Sequence, residues 1–274
     1  MNFKDCIDSY PFILMEGALG ERLKREFDLD ISGTVAMADL IYQQKGRMAL
    51  KTLWNEYMDI AHRYQLPFLA TTPTRRANKE RVYMAGYNES IITDNVDFLR
   101  TIKETANVNM YIGGLMGCKG DAYTSERALN QEEAIAFHSW QASLFKSVGV
   151  DFLYAGIMPV LSEAIGMAVA MSDTDIPYII SFTIQRNGKL IDGHTINDAI
   201  YYIDNHVSNK PVCYMTNCVH PDIVYEALSH KFNQTQMVKN RFWGIQANTS
   251  RLSYKELDGA KNLRTSSAVD LGKA

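Results

Sequence analysis

The chain has 274 residues, of which 46% are hydrophobic and 22% are charged, with a formal net charge of −3. This composition is that of a soluble globular protein, and it gives no basic patch for nucleic acid and no polybasic stripe for a membrane surface. The first apolar run, 12–15, is too short for a signal peptide or a membrane span. We therefore expect a cytoplasmic protein that binds small molecules, with residues 1–274 forming one domain.

Seven short apolar runs rich in β-forming residues predict strands. They lie at 12–15, 66–71, 110–115, 152–155, 178–184, 212–216 and 242–247. Stretches with helical periodicity separate them, most clearly 131–148, where Asn130 and Glu133 form a capping-box pattern at the start. Alternating strands and helices predict a parallel sheet. The strands show no polar alternation, which indicates burial on both faces.

Two architectures satisfy this pattern, a doubly wound sheet and a closed (β/α)8 TIM barrel. No G-x-G-x-x-G or P-loop sequence follows any of the runs, which disfavours a nucleotide-binding doubly wound sheet. We therefore predict the barrel. Asn187-Gly188, between two β-rich segments, predicts a small hairpin after the fifth strand.

The strand count falls one short of the eight that close such a barrel. No eighth strand is visible before Ala274, although an open barrel leaves edge strands unpaired. We expect the natural chain to continue past Ala274; a seven-stranded variant is the alternative.

Cys218 lies where the sixth apolar run ends and a helix is expected to begin, in Thr216-Asn217-Cys218-Val219-His220-Pro221. Barrel enzymes place their reacting groups at such strand ends. As a thiolate, Cys218 can bind a soft metal or act as a nucleophile, whereas a buried cysteine is only a packing residue.

Several motifs in order resemble the homocysteine S-methyltransferase family. The first strand ends in Glu16-Gly17-Ala18-Leu19-Gly20, similar to the family's Asp-Gly-Ala-Met-Gly. Asn217-Cys218 resembles its sixth-strand Asn-Cys motif, and Gln246-Ala247-Asn248-Thr249 resembles its seventh-strand Pro-Asn-Ser-Gly. Further similarity runs through Pro159, Glu163-Ala164, Ser181-Phe182-Thr183, Leu190-Ile191-Asp192-Gly193 and Thr195.

The resemblance implies a zinc-dependent barrel that moves a methyl group from a sulfonium donor, S-methylmethionine or S-adenosylmethionine, to the zinc-activated thiol of homocysteine or a related thiol. It implies that Cys218 is the catalytic zinc ligand, with the other two ligands in a Cys-Cys pair expected beyond Ala274. Expected substrate contacts are Glu16, Thr71, Asn217 and Asn248. Without the Cys-Cys pair, the residues up to Ala274 are not expected to bind zinc well.

Alternatives stay open at several of these residues. Asn217 is either a substrate contact or a helix cap, and Asn248 either a substrate contact or a loop residue. Gly156-Ile157 stands where many family members carry Glu-Thr, so the acceptor can be a thiol other than homocysteine. Cys218, His220 and Cys118 could form a different metal site. The alternative to an enzyme is a non-catalytic, metal-free barrel that binds a small ligand.

Overall fold

The structure is a computed structural model that describes residues 1–257, 262 and 264–274, without the side chain of residue 255. The strands are β1 (Leu14–Met15), β2 (Phe68–Thr71), β3 (Met110–Gly117), β4 (Phe152–Met158), β5 (Tyr178–Phe182), β6 (Cys213–Val219) and β7 (Phe242–Ala247). Each of the seven predicted runs overlaps a strand, which confirms the α/β prediction.

Helices occupy most of the segments between the strands. They are α1 (Phe3–Ser9), α2 (Leu19–Glu26), α3 (Gln44–Arg63), α4 (Lys79–Met84), α5 (Ser90–Lys103), α6 (Gln131–Val148), α7 (Leu161–Ser172), α8 (Ile196–His206), α9 (Pro221–Ser229), α10 (Gln236–Arg241), α11 (Tyr254–Leu257) and α12 (Ala268–Lys273), with a 3-10 helix at Ala38–Tyr42. None of the described helices is long and apolar enough to cross a membrane.

The strand order follows the chain, β1-β2-β3-β4-β5-β6-β7. Pairing is parallel from β1 to β3 and again from β5 to β7. Every residue of β2 and of β5 is buried, as expected for strands that are covered on both faces. This is the strand order of a (β/α) barrel, and the described residues contain no eighth strand.

The described residues divide into two compact units. The first comprises Met1–Met116, Ala136–Tyr154 and Thr174–Pro177. Its core includes the fully buried side chains of Trp54, Phe68, Phe145 and Phe152. Phe3 stacks on Phe152 with ring centroids 4.7 Å apart, so the N-terminal helix α1 is packed into this core.

The second unit comprises Gly117–Ile135, Ala155–Asp173 and the described part of Tyr178–Ala274. Tyr178, Phe182 and Tyr214 are its largest fully buried side chains. Phe182 and Tyr214 stack at 5.4 Å and thereby join β5 to β6. This unit contains the carboxyl ends of β4, β5, β6 and β7.

Two local predictions are also confirmed. Helix α6 spans Gln131–Val148, and Asn130 and Glu133 form the reciprocal side-chain-to-backbone bonds of a capping box. The Asn187-Gly188 turn forms a small antiparallel excursion in which Ile184 bridges Leu190. Gly188 has φ +75°, a conformation that glycine adopts without steric cost.

Candidate active site

Cys218 lies in an interruption of the ladder between β6 and β7. Asn217 pairs with Gln246 and Val219 with Ala247, so Cys218 is an extra residue on β6, as in a β-bulge. Bulges re-aim side chains near active sites. The side chain of Cys218 is partly exposed, whereas the other six residues of β6 are buried. The bulge therefore makes the thiol accessible at the end of a buried strand.

The backbone at this bulge is strained. Cys218 has φ +63°, in the left-handed region that residues other than glycine seldom adopt. Ile157, at the end of β4, also has a left-handed φ, of +61°, which is rarer still for a β-branched residue. Such conformations cost about 1–3 kcal/mol each and cluster at functional sites. Both strand ends belong to the second unit.

Asn217 is fixed by the neighbouring strand. Its side chain is 5% exposed, and its Oδ1 accepts a hydrogen bond of 2.6 Å from the Ser181 hydroxyl on β5. Its Nδ2 lies 3.9 Å from the Cys218 Sγ and donates to it. The Asn217 amide therefore links β5 to the thiol. The helix-cap alternative does not hold, because His220 caps α9 through its Nδ1, which accepts from the Asp222 N–H at 3.2 Å.

Two tyrosines that the sequence analysis missed belong to this region. Tyr254 of α11 donates its hydroxyl hydrogen to the Ile184 carbonyl at 3.1 Å, and its ring lies 4.7 Å from that of Tyr123. Burial, together with the negative charge of a Cys218 thiolate, raises the Tyr254 pKa to about 12. Ile184 follows β5, whose Phe182 pairs with Thr216 of β6, so Tyr254 lies at the strand ends that present Cys218. Neither tyrosine belongs to a regular sequence pattern that could have identified it.

Cys213, at the start of β6, is the buried counterpart of Cys218. It is 7% exposed, and burial raises its pKa to about 12. Its thiol therefore stays protonated at neutral pH and acts as a packing group. Of the two thiols on β6, the one at the bulge is the accessible one.

Asn248 follows β7 and contacts the strand that bears the thiol. Its N–H donates to the Val219 carbonyl at 2.8 Å, and its Oδ1 accepts from the Ser250 N–H at 3.0 Å. The second bond closes an Asx turn, which gives Asn248 a loop role. The substrate contact predicted for Asn248 stays a prediction.

Glu163, in the first turn of α7, organises the connection between β3 and α6. Its fully buried carboxylate accepts from the backbone N–H groups of Lys119 at 2.7 Å and Leu129 at 3.4 Å. The Thr183 hydroxyl donates to the Ala122 carbonyl at 2.9 Å, next to Tyr123. Buried side chains of the strand-end region therefore anchor the segment that bears Tyr123.

Glu16 and Thr71 come together in the first unit. The Thr71 N–H donates to both carboxyl oxygens of Glu16, at 2.9 and 2.8 Å, and the Thr71 hydroxyl donates to Oε1. Glu16 is only 3% exposed. The carboxyl group that ends β1 is therefore held by the last residue of β2.

Burial gives Glu16 an unusual charge state. It raises the pKa of Glu16 from 4.5 to about 8, and the hydrogen bonds from Thr71 counteract it only in part. At pH 7 the carboxyl group is mainly neutral. The predicted substrate contact of Glu16 stays a prediction, and it would be made by a neutral acid.

The described residues do not form a complete metal centre. Among them no three His, Cys, Asp or Glu side chains are grouped so that they could hold a metal ion. The alternative site of Cys218, His220 and Cys118 is therefore wrong: His220 directs Nδ1 to the Asp222 N–H, and the Cys118 thiol donates to the Gly120 carbonyl at 3.6 Å. Within the described part of the chain, Cys218 supplies a single thiolate, whereas a catalytic zinc takes three protein ligands.

Comparison with known proteins agrees with the motifs. The family model for homocysteine S-methyltransferase matches residues 13–267. The homocysteine S-methyltransferase YbgG of Bacillus subtilis is 21% identical over 217 residues, which cover 73% of this chain and 67% of YbgG.

Solved structures establish the fold. The metallated form of the homocysteine methyltransferase MmuM from Escherichia coli aligns with a TM-score of 0.68 at 18% identity, over 82% of this chain and 81% of that chain. The oxidised form of MmuM gives a TM-score of 0.67 at 19% identity, over 82% and 80%. These alignments show an α/β fold of the TIM-barrel type. Because the family model matches residues 13–267, the chain belongs to the homocysteine S-methyltransferase family of methyltransferase enzymes.

Proposed function

We propose that this enzyme transfers a methyl group from a sulfonium donor, S-methylmethionine or S-adenosylmethionine, to the thiol of homocysteine. The observation that supports it most directly is the accessible Cys218 thiol on the strained bulge of β6, within the family match. A strained and partly exposed thiol at a strand end is a position for chemistry rather than for packing.

The reaction is a displacement at the methyl carbon. The acceptor thiol first gives its proton to solvent water, and the resulting thiolate forms a new S–CH3 bond. The bond between the methyl carbon and the donor sulfur breaks, and its electron pair returns to that sulfur, so the donor leaves as a neutral thioether. No proton moves during the transfer itself, so the protein mainly aligns donor and acceptor and excludes water.

Residues of the second unit can perform this alignment. The Asn217 amide, held by Ser181, donates to the Cys218 sulfur and so fixes the thiol and stabilises its negative charge. Tyr254 lies at the adjacent end of β5, where its hydroxyl is bound to Ile184 and its raised pKa keeps it protonated. Cys218 is therefore oriented from β5, through Ser181 and Asn217.

Zinc is the cofactor that the family resemblance implies, and we propose Cys218 as one of its ligands. Bound zinc would keep a thiol deprotonated near neutral pH. The described residues alone do not fit a complete zinc site, because they supply one thiolate where three protein ligands are needed. The roles of Asn217, Ser181 and Tyr254 follow from their own contacts and do not require the metal.

The residue at position 156 bears mainly on which thiol accepts the methyl group. Gly156 has no side chain to hold the amino-acid end of homocysteine, and Ile157 beside it presents an apolar group from a left-handed backbone. The assay must therefore compare homocysteine with cysteine and with a simple thiol that lacks the amino-acid group, such as 2-mercaptoethanol.

The test is methyl transfer from methyl-labelled donors to this thiol panel, followed by mass spectrometry, with zinc and reductant supplied. We expect transfer to homocysteine, and a fall to about one hundredth or less in Cys218→Ala, which is the scale of loss when a group acting in the reaction is removed. Cys118→Ala, which removes the other partly exposed thiol, is the matched control and should retain activity. Transfer to no thiol, or full activity in Cys218→Ala, would refute the proposal.

A further inference from the structure

We propose that the aromatic pair Tyr123–Tyr254 recognises the positively charged sulfonium centre of the methyl donor beside Cys218. This inference rests on the proposed function, since it concerns the donor of that reaction. It assigns specificity for charged over neutral sulfur compounds to two residues outside the motifs that define the family resemblance.

The two rings form a fixed aromatic surface. Their centroids are 4.7 Å apart with an interplanar angle of 31°, and both side chains are partly exposed. Tyr123 lies between β3 and α6, and Tyr254 lies in α11 after β7. Two segments that are 131 residues apart in the chain therefore meet through their rings, and each ring keeps part of its surface accessible.

Both rings are held by strand-end atoms. The Tyr254 hydroxyl donates to the Ile184 carbonyl just after β5, which fixes the ring orientation. The Thr183 hydroxyl holds the Ala122 carbonyl next to Tyr123, and buried Glu163 holds the Lys119 N–H earlier in the same segment. Because these anchors are buried, the aromatic surface is organised before any ligand binds.

The location of the Tyr123–Tyr254 pair determines which part of the donor it contacts. The Tyr254 hydroxyl is bonded to the Ile184 carbonyl just after β5, and β5 pairs with β6 up to Phe182 and Thr216, two residues before Cys218. The methyl group must move close to that thiol if Cys218 acts in the transfer. The donor sulfur carries the methyl group and the positive charge on one atom. A donor placed for transfer therefore brings its charge near the Tyr254 ring.

Aromatic faces attract such cations. A cation over a tyrosine ring binds about twofold to thirtyfold more tightly, and the gain is largest where water is excluded. After transfer the donor sulfur is neutral and this attraction is lost. The pair would then bind the charged donor more tightly than its thioether product, which favours release of the product.

The test compares two ligands that differ by one methyl group and one charge, S-methylmethionine and methionine, by calorimetry without acceptor thiol. S-adenosylmethionine and S-adenosylhomocysteine form the second such pair. The proteins are wild type, Tyr254→Phe, Tyr254→Leu and Tyr123→Leu. Tyr225→Leu, which changes a tyrosine that is 76% exposed on α9, is the control. Circular dichroism checks that each variant is folded. If Tyr254→Leu does not fold, Tyr123→Leu tests the proposal by itself.

We expect wild type, Tyr254→Phe and Tyr225→Leu to prefer the charged ligand of at least one pair. In Tyr254→Leu and Tyr123→Leu this preference should fall by about tenfold, because the electron-rich ring is lost. Equal weakening of both ligands would show that the rings contribute only shape, and would overturn the inference. So would a wild type with no preference for charge in either pair.

Failure of the inference and failure of the proposed function give different results. A protein that prefers the charged ligand through Tyr254 but transfers no methyl group would contradict the proposed function alone. A protein that transfers methyl groups while Tyr254→Leu and Tyr123→Leu keep the wild-type charge preference would contradict the aromatic pair alone.

Discussion

Two strand ends, β1 in the first unit and β6 in the second, each hold a buried polar side chain bonded to the adjacent strand. Glu16 is bonded to Thr71 of β2, and Asn217 is bonded to Ser181 of β5. At β1 the bonds engage both carboxyl oxygens. At β6 the bond engages one end of the amide and leaves the other for the next residue, the Cys218 thiol. A hydrogen bond to the adjacent strand thus holds a carboxyl group at the end of β1, whereas at the end of β6 it orients a reactive thiol.

The largest expected effect is at Glu16. Glu16→Ala leaves the Thr71 N–H and hydroxyl buried without a partner, and each such group costs about 1–3 kcal/mol. Glu16→Gln resembles the neutral acid that predominates at pH 7, so it should cost much less there. Chemical denaturation of both variants measures the difference. Equal free energies of unfolding for the two variants would contradict a neutral, hydrogen-bonded Glu16.

The charge state of Glu16 also predicts a pH dependence. The folded pKa of about 8 lies above the ordinary value of 4.5, so between these values the folded state holds a proton that the unfolded state has lost. The contribution of Glu16 to the free energy of unfolding should therefore fall as pH rises from about 4.5 to about 8, by a few kcal/mol in total, and then level off. Glu16→Gln lacks this contribution, so its stability relative to wild type should rise across the same range. If the difference in unfolding free energy between Glu16→Gln and wild type stays constant with pH, the raised pKa of Glu16 is contradicted.

The third prediction concerns the bond between Ser181 and Asn217. Ser181→Ala and Asn217→Ala should each destabilise the protein by about 1–2 kcal/mol, with a coupling of about 1 kcal/mol in a double-mutant cycle. Because Asn217 also donates to the thiol, Asn217→Ala should lower methyl transfer by an additional factor on the order of tenfold. Ser181→Ala should lower it less, because the amide remains. Equal losses of activity would indicate that Asn217 acts only as a structural residue.

The positions of the elements could be predicted from the sequence because they depend on local patterns. Continuous apolar runs placed all seven strands, and the helical periodicity with its capping box placed α6. The motifs around Glu16 and Cys218 led to the family that the comparison then showed. None of these inferences required knowledge of what each residue contacts.

What could not be predicted depends on partners distant in the chain. Regular alternation along β6 would place Asn217 and Cys218 on opposite faces, but the bulge appears only when β6 is paired with β7. The raised pKa of Glu16 comes from its burial in the folded chain, which the bonds from Thr71, 55 residues away, offset only in part. Tyr254 was missed because its contacts, Ile184 and Tyr123, lie in other loops.

The smallest expected effect isolates the strain at the bulge. At φ +63°, alanine in place of Cys218 keeps the clash between Cβ and the backbone, whereas glycine removes it. Cys218→Gly should therefore be about 1 kcal/mol more stable than Cys218→Ala. Cys213, in the regular part of the same strand, is the matched control. There glycine should be about 0.5–1 kcal/mol less stable than alanine, because it loses more backbone entropy on folding.

The decisive quantity is the sign of the difference in unfolding free energy between the glycine and the alanine variant at each position. Both pairs of variants remove a thiol from β6, and the two positions differ in backbone conformation. Thermal or chemical unfolding of the four variants gives this sign directly. Opposite signs at Cys218 and Cys213 would show that the bulge holds its residue against a conformational cost, so that the fold stabilises the position that presents the thiol. The same sign at both positions would mean that Cys218 lies in an unstrained backbone, and the bulge would then orient the thiol without stored strain.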